Sequence, residues 1–398
     1  MLRIKIIPSI AVVLCAAGFS ACQKEEVLPD DALYQARQSA VAAGAQVLHA
    51  DLSVLYRQAS KLDDAAWLEL PVVTEGQTFP VQRIRRSPML PRDAKFYTTD
   101  GKTLTELARP DLMVVEGLTS DGRRGLFALS PEHFAGWYEA PEGRMYVQDL
   151  AFDHPEAETG ELIVLSESQW QRLSPVSGHC GSPLAAGKPT PIDQPAGNVP
   201  EANCWKLELI MHGDWHYFSG VAGSNVGSAQ WGLMAYAVLS DPPFAAINMD
   251  LVVPTMILTQ TPTSFTTNPS GLLGIVQNFW SHFPTNRDAV VYVTGADLAG
   301  SVIGIAYLKT VCNNVPWAVS VVQWMRGPLG SLSQSQANGR IGAHEIGHNL
   351  DAQHTTAGIM TPAIGGSGSS GSFSQTSRDQ MNWHIWFNHN CLHQATCN

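Results

Sequence analysis

The chain has 398 residues, 44% hydrophobic and 15% charged, a balance that excludes a fibrous or disordered protein and leaves room for two or three domains. Its formal net charge of −11, with no block of Lys or Arg, gives no basis for nucleic-acid binding. After the first twenty-odd residues no apolar run is long enough to cross a bilayer.

Residues 1–21 read as a signal peptide, with a basic start (Arg3, Lys5), an apolar run from Ile6 to Phe19 and small residues before Cys22. The stretch FSAC resembles a bacterial lipobox, although Phe19 stands where leucine is usual. That resemblance implies that Cys22 becomes a lipidated N-terminus holding the protein on a membrane, at the cell surface or in the periplasm. Simple secretion is the alternative, and both readings place the chain outside the cytoplasm. Residues 22–62 then form a tether and a helical lead-in.

From 63 to 180 short apolar runs alternate with the turn signals Asp100-Gly101, Asp121-Gly122 and Pro141-Glu142-Gly143, the pattern of a β-rich domain. Residues 181–203 are rich in Pro, Gly and Ala without periodicity and read as an exposed linker open to proteolysis. Beyond it, 204–398 alternates strands (Lys206–Met211, Leu251–Leu258, Ala289–Thr294, Ile303–Leu308, Ala318–Trp324) with helices at about 227–239, 268–283, 335–350 and 374–390. The fold class this predicts is α/β (α+β): a mixed, twisted sheet with helices, preceded by the β-rich domain.

The chemistry concentrates in AHEIGHNLDAQH (Ala343–His354), followed by GIMTP. On a helix His344 and His348 lie one turn apart on one face, so both imidazoles reach one zinc ion, while Glu345, one position on, reaches a water beside it. His354 would lie about 9 Å further along a continued helix, so the chain must turn sharply after Leu350 to bring it in. Asp351 stands at that turn and tolerates positive φ better than most residues other than glycine. A solvated, metal-free helix rich in histidine is the bland alternative.

HEIGHNLDAQH with a later GIM resembles the metzincin zinc endopeptidases, and within them the adamalysin/reprolysin group, over roughly Cys204 to Asn398. The resemblance implies a metzincin-like catalytic domain with its zinc-binding helix. It makes His344, His348 and His354 ligands of one catalytic Zn2+, Glu345 the general base, and Met360 the hydrophobic floor of a Met-turn. Asp351 in place of glycine and Thr355 in place of aspartate depart from the family pattern. The strand around Gly304, Ile305 and Ala306 resembles the family's edge strand, which binds substrate by strand addition; a plain internal strand is the equal alternative. Glu208 and Asp288 are offered as structural Ca2+ ligands.

Setting aside Cys15 and Cys22 leaves five cysteines, an odd number for an oxidising compartment. The resemblance joins Cys312 to Cys391, and Cys204 and Cys397 could close the ends of the domain. Cys180 is left over. Just before the linker, it resembles the cysteine switch of a zymogen, a fourth zinc ligand that makes 23 to about 200 an inhibitory prodomain; a buried spare thiol or other pairings are the alternatives. His212 and His216, and also His384, His389 and His393, read as surface histidines.

The function expected is a latent, monomeric zinc endopeptidase acting on extracytoplasmic proteins or peptides. The rivals are a catalytically silent surface binding or adhesion lipoprotein, and a zinc amidase acting on cell-wall peptides.

Overall fold

The computed structural model describes residues 38–395 apart from 39, 43, 70–72, 75–76, 153, 155–156, 174–177, 182–183, 186–203, 284–286, 313–317, 326–334 and 365–369. The expected signal peptide, Cys22, Cys397 and most of the expected linker lie outside these residues. In chain order the first half runs β1 (Gln46–His49), α1 (Leu52–Ala59), β2 (Leu68–Glu69), β3 (Val73–Thr74), β4 (Gln77–Thr78), β5 (Val81–Arg86), β6 (Lys95–Thr99), β7 (Leu104–Glu106), β8 (Met113–Thr119), β9 (Arg124–Leu129), β10 (Phe134–Ala140), β11 (Gly143–Asp149), β12 (Glu161–Ser166) and α2 (Glu167–Leu173). The second half adds β13 (Gly178–Cys180), β14 (Leu184–Ala185), β15 (Cys204–Gly213), α3 (Val226–Ser240), β16 (Met249–Thr259), α4 (Pro269–Ser281), β17 (Ala289–Thr294), β18 (Val302–Leu308), β19 (Val319–Gln323), α5 (Ser335–Asn349), β20 (Ala363–Ile364), α6 (Gln375–Asn388) and β21 (His393–Ala395).

Eight strands of the first half form an antiparallel half-barrel in the order β1-β12-β11-β10-β9-β8-β5-β2. Its hairpins fall where the sequence places them, with Gly122 and Gly143 at positive φ in the β8–β9 and β10–β11 turns. Phe79, Phe127, Phe134, Tyr138 and Leu52 fill its concave side. The expected β-rich domain is not one sheet, however. The β6–β7 hairpin leaves it and adds β6 in parallel to the outer edge of β16 in the second sheet.

That second sheet is mixed, in the order β20-β13-β18-β19-β17-β15-β16-β6-β7. Strand β15 alternates sides as a period of two requires: Leu207, Leu209 and Met211 face one core, Ile210 the other. Helix α4, capped by the Asn268 carboxamide accepting from Gly271 N–H at 2.8 Å, covers the second side through Leu272, Leu273, Val276 and Trp280. Helices α3 and α5 lie on the first side. They cross closely because Gly339 and Gly342 of α5 have no Cβ to meet Leu239, Ser240 and Tyr236 of α3.

Helix α3 is buried all round from Ala229 to Ser240. Such a helix has no face for solvent and must be covered on more than one side. It touches β15 and β16 on one side, and β9 and β10 of the half-barrel on another. The mixed α/β domain and the antiparallel half-barrel therefore share a hydrophobic core.

Candidate metal centre

Helix α5 carries His344 and His348 on one face, both fully buried. It ends in a Schellman-type turn, with Ala352 N–H donating to Gly347 O and Asp351 N–H to His348 O, both at 2.9 Å. Asp351 occupies the left-handed position of that turn, at φ 80°. Its carboxylate pairs with Lys309 Nζ at 2.9 Å, a partner that glycine would not hold. The reversal brings His354 back, and the ligand nitrogens of His344, His348 and His354 lie within 4.8 Å of one another.

The second nitrogen of each helical imidazole is committed. His344 Nδ1 donates to Ile359 O at 2.8 Å and His348 Nδ1 to Ala352 O at 2.6 Å. Those carbonyls fix the tautomers and leave Nε2 as a lone pair. Burial depresses the His344 pKa to about 3; it also holds His348 far below the usual range, aided by the two other imidazoles, and lowers His354. All three are neutral at physiological pH. The Nε2 of His344 then faces Nε2 of His348 at 3.0 Å and of His354 at 3.2 Å. Lone pairs that close repel unless a cation lies among them, and nitrogens around one zinc at 2.0–2.1 Å stand about 3.3 Å apart. The donor set fits zinc.

Glu345 is fully buried beside the cluster, and the polar group that faces its carboxylate is the Cys180 thiol. Burial raises its pKa to about 8. Gly304 of β18 lies against it: an added Cβ would sit 2.5 Å from Glu345 Oε1. Met360 is buried beneath α5, its Sδ placed 2.9 Å from where a Gly347 Cβ would be, and its carbonyl accepts from Thr355 N–H at 2.9 Å.

The chain's own strap covers the cluster. Cys180 is a buried free cysteine whose sulfur lies within 4.8 Å of donor atoms of His344 and Glu345. Burial, and then the Glu345 charge, hold its thiol well above the usual range. A divalent cation on the imidazoles would reverse that preference. Strand β13 pairs in parallel with β18 and antiparallel with β20, and β14 continues along β18. The expected edge strand at Gly304, Ile305 and Ala306 thus has β19 on one side and the strap on the other. In this structure β18 is internal, its side away from β19 taken by β13 and β14. The strap also overturns part of the linker expectation, since Leu184 and Ala185 lie in a sheet.

Cys312 and Cys391 form a disulfide, and Cys204 is also disulfide-bonded. The calcium expectation gains no ligand set. Glu208 pairs with Arg287 Nη1 at 2.7 Å, Asp288 Oδ2 accepts Glu208 N–H at 2.8 Å, and neither joins a metal-capable group of three among the described residues. Two histidines read as surface residues are buried. His212 sits within β15 against Phe279, Trp280 and Tyr292, and His384 Nε2 donates to Val311 O at 2.8 Å. His216, His389 and His393 are exposed or half-buried.

Sequence reasoning missed the Ile359 and Ala352 carbonyls, because backbone acceptors carry no residue signature. It also missed Lys309, which only the unusual Asp351 could have prompted. Residues 206–391 match the reprolysin-type model of Metallo-peptidase family M12. No curated protein sequence matches the chain. With a zinc-type histidine triad at the centre of the matched stretch, residues 206–391 are a reprolysin-like metallopeptidase domain of family M12.

Proposed function

We propose that the chain is a zinc endopeptidase of extracytoplasmic proteins, made latent by Cys180 and anchored to a membrane through a lipidated Cys22. The observation that carries the reading is the cluster of three neutral imidazoles with a buried Glu345 beside it and the Cys180 thiol facing both.

A zinc ion held by His344, His348 and His354 supplies a Lewis acid and acidifies water at its open position. With a cation on the imidazoles holding its carboxyl ionised, Glu345 would take a proton from that water and return it to the leaving amine. The edge of β18 offers backbone groups to an extended peptide, and the glycine at 304 lets the Glu345 side chain pack directly against that strand. In the latent form the strap holds that edge and its thiol takes the place of water.

Glu345→Gln preserves the donor set and removes the base. The expected result is one zinc per chain by elemental analysis and loss of at least 100-fold in cleavage of a casein-type substrate. Retained cleavage would exclude this role. Cys180→Ala should give activity without any lag or processing, measured on the same substrate; unchanged latency would exclude the thiol as the block.

A further inference from the structure

We propose that the half-barrel is a permanent part of the enzyme and that only the strap, residues 178–181 with 184–185, leaves the active site on activation. The strap's departure rests on the latency reading above; the retention of the half-barrel does not.

Three separate joints bind the half-barrel to the catalytic half. The first is a sheet joint. Strand β6 covers the outer edge of β16 from Thr255 to Thr259, Thr98 Oγ1 donates to Leu258 O at 3.1 Å, and Val253 N–H donates to Met89 O at 2.7 Å. Loss of the first half would bare that edge from Thr255 to Thr259.

The second joint is the core. Val114, Leu126, Ala128, Trp137 and Tyr146 of the half-barrel lie in one buried cluster with α3 and α5. Trp137 Nε1 donates to Val238 O at 3.1 Å, and the Trp231 ring of α3 packs against His133 and Phe152 at 4.8 Å between centroids. Shedding this half would expose a continuous apolar face of the helix that supports α5, the behaviour of an obligate interface and not of a transient one. The third joint is ionic: Glu167 of α2 pairs with Arg340, a nearly buried residue in the first turns of α5.

The strap is held far more lightly. Its described strands have three and two residues, tied by hydrogen bonds such as Cys180 N–H to Pro362 O and Gly181 N–H to Gly304 O, both 2.8 Å. Gly178 and Gly181 lay bare backbone on Ile303 and Ile305. A short ladder can open while three joints stay closed.

The test is a recognition sequence for a site-specific protease inserted between Asp193 and Gln194 of the full chain. After cutting, the two fragments are expected to co-elute in native size-exclusion chromatography at the volume of the uncut chain and to melt in one transition. Fragments that elute apart, with the catalytic fragment melting cooperatively alone, would overturn the proposal. Gly178→Val places a side chain where an added Cβ already lies 2.6 Å from Ile303, crowding the strap off β18. Labelling of Cys180 by a thiol reagent should then rise at least tenfold in the nicked variant without a change in elution. Labelling that appears only when the fragments part in denaturant would also overturn it. Casein cleavage is scored separately: co-elution without cleavage supports retention and counts only against the latent-peptidase reading.

Discussion

The turn at Asp351 offers a quantitative test of how the third histidine is placed. A residue other than glycine at φ 80° costs about 1–2 kcal/mol relative to a right-handed conformation, somewhat less for Asp, whose side chain can bond locally. The Lys309 pair, 13% exposed on the Asp351 side and 26% on the lysine, returns about 0.5–1 kcal/mol. Asp351→Gly forfeits the pair and adds about 0.5–1 kcal/mol of unfolded-chain freedom, but removes the backbone strain, for a net change near zero. Asp351→Ala forfeits the pair and carries the fuller strain of a residue with no polar side chain, for a loss of about 1–2 kcal/mol. The two variants should differ by about 1 kcal/mol in urea unfolding with zinc chelated. If the strain opens the turn, zinc affinity by chelator competition falls with it, about fivefold per kcal/mol. In 1 M NaCl the glycine variant should gain on the wild type, because the pair that only the wild type holds is partly exposed. An alanine variant as stable as the glycine variant would refute the claim that the backbone of this turn is strained.

Two further outcomes follow from buried groups away from the metal. Burial raises the Asp288 carboxyl to about 7, with the neighbouring Glu208 charge adding to the effect against a backbone hydrogen bond that lowers it. The folded state then keeps a proton that the unfolded chain releases near pH 3.8, so stability is fullest below that value and falls as pH rises to about 7, by about 4 kcal/mol at most. Asp288→Asn should flatten denaturant midpoints over that window; a wild-type midpoint that rises with pH there, or with added calcium at pH 8, would contradict it. Replacing Cys312 and Cys391 together by Ser opens a link spanning 79 residues and should cost about 2–4 kcal/mol, read as a lower melting temperature absent when both proteins are reduced.

What the sequence disclosed and what it hid divide along the range of the interactions. Helices and strands of the catalytic half were legible because each has its own periodicity: Ala289–Thr294 is β17 to the residue, and the helix expected over 268–283 begins at its Asn268 cap. The reversal at Asp351 was legible because local backbone chemistry requires it. The departure of the Lys95–Glu106 hairpin was not. Alternation every second residue marks a strand but is silent on its partner, and Lys95 pairs with Thr255 across 160 positions. The buried His212 and His384 were misread for the same reason, since a histidine satisfied by a distant threonine or carbonyl looks like any other. One readable sign concerned α3. From Trp231 to Leu239 the sequence offers no polar face, and a helix of that kind announces a second covering layer.

The leftover cysteine shows how a count becomes a geometry. An odd number of thiols requires an exception but does not say where it lies, and a spare thiol on the half-barrel's far side would have satisfied the arithmetic equally well. What separates the readings is that Cys180 is carried by a strand whose two neighbours, β18 and β20, flank the metal centre. Register then fixes the sulfur: with Gly181 N–H bonded to Gly304 O, and Gly304 against Glu345, the residue before Gly181 must fall over the histidines. Any substitution that slips this register by one residue turns the thiol to the other face of the strap. The three histidines would then be uncovered with all of them intact, so the proposed latency would depend on strand pairing as much as on sulfur chemistry.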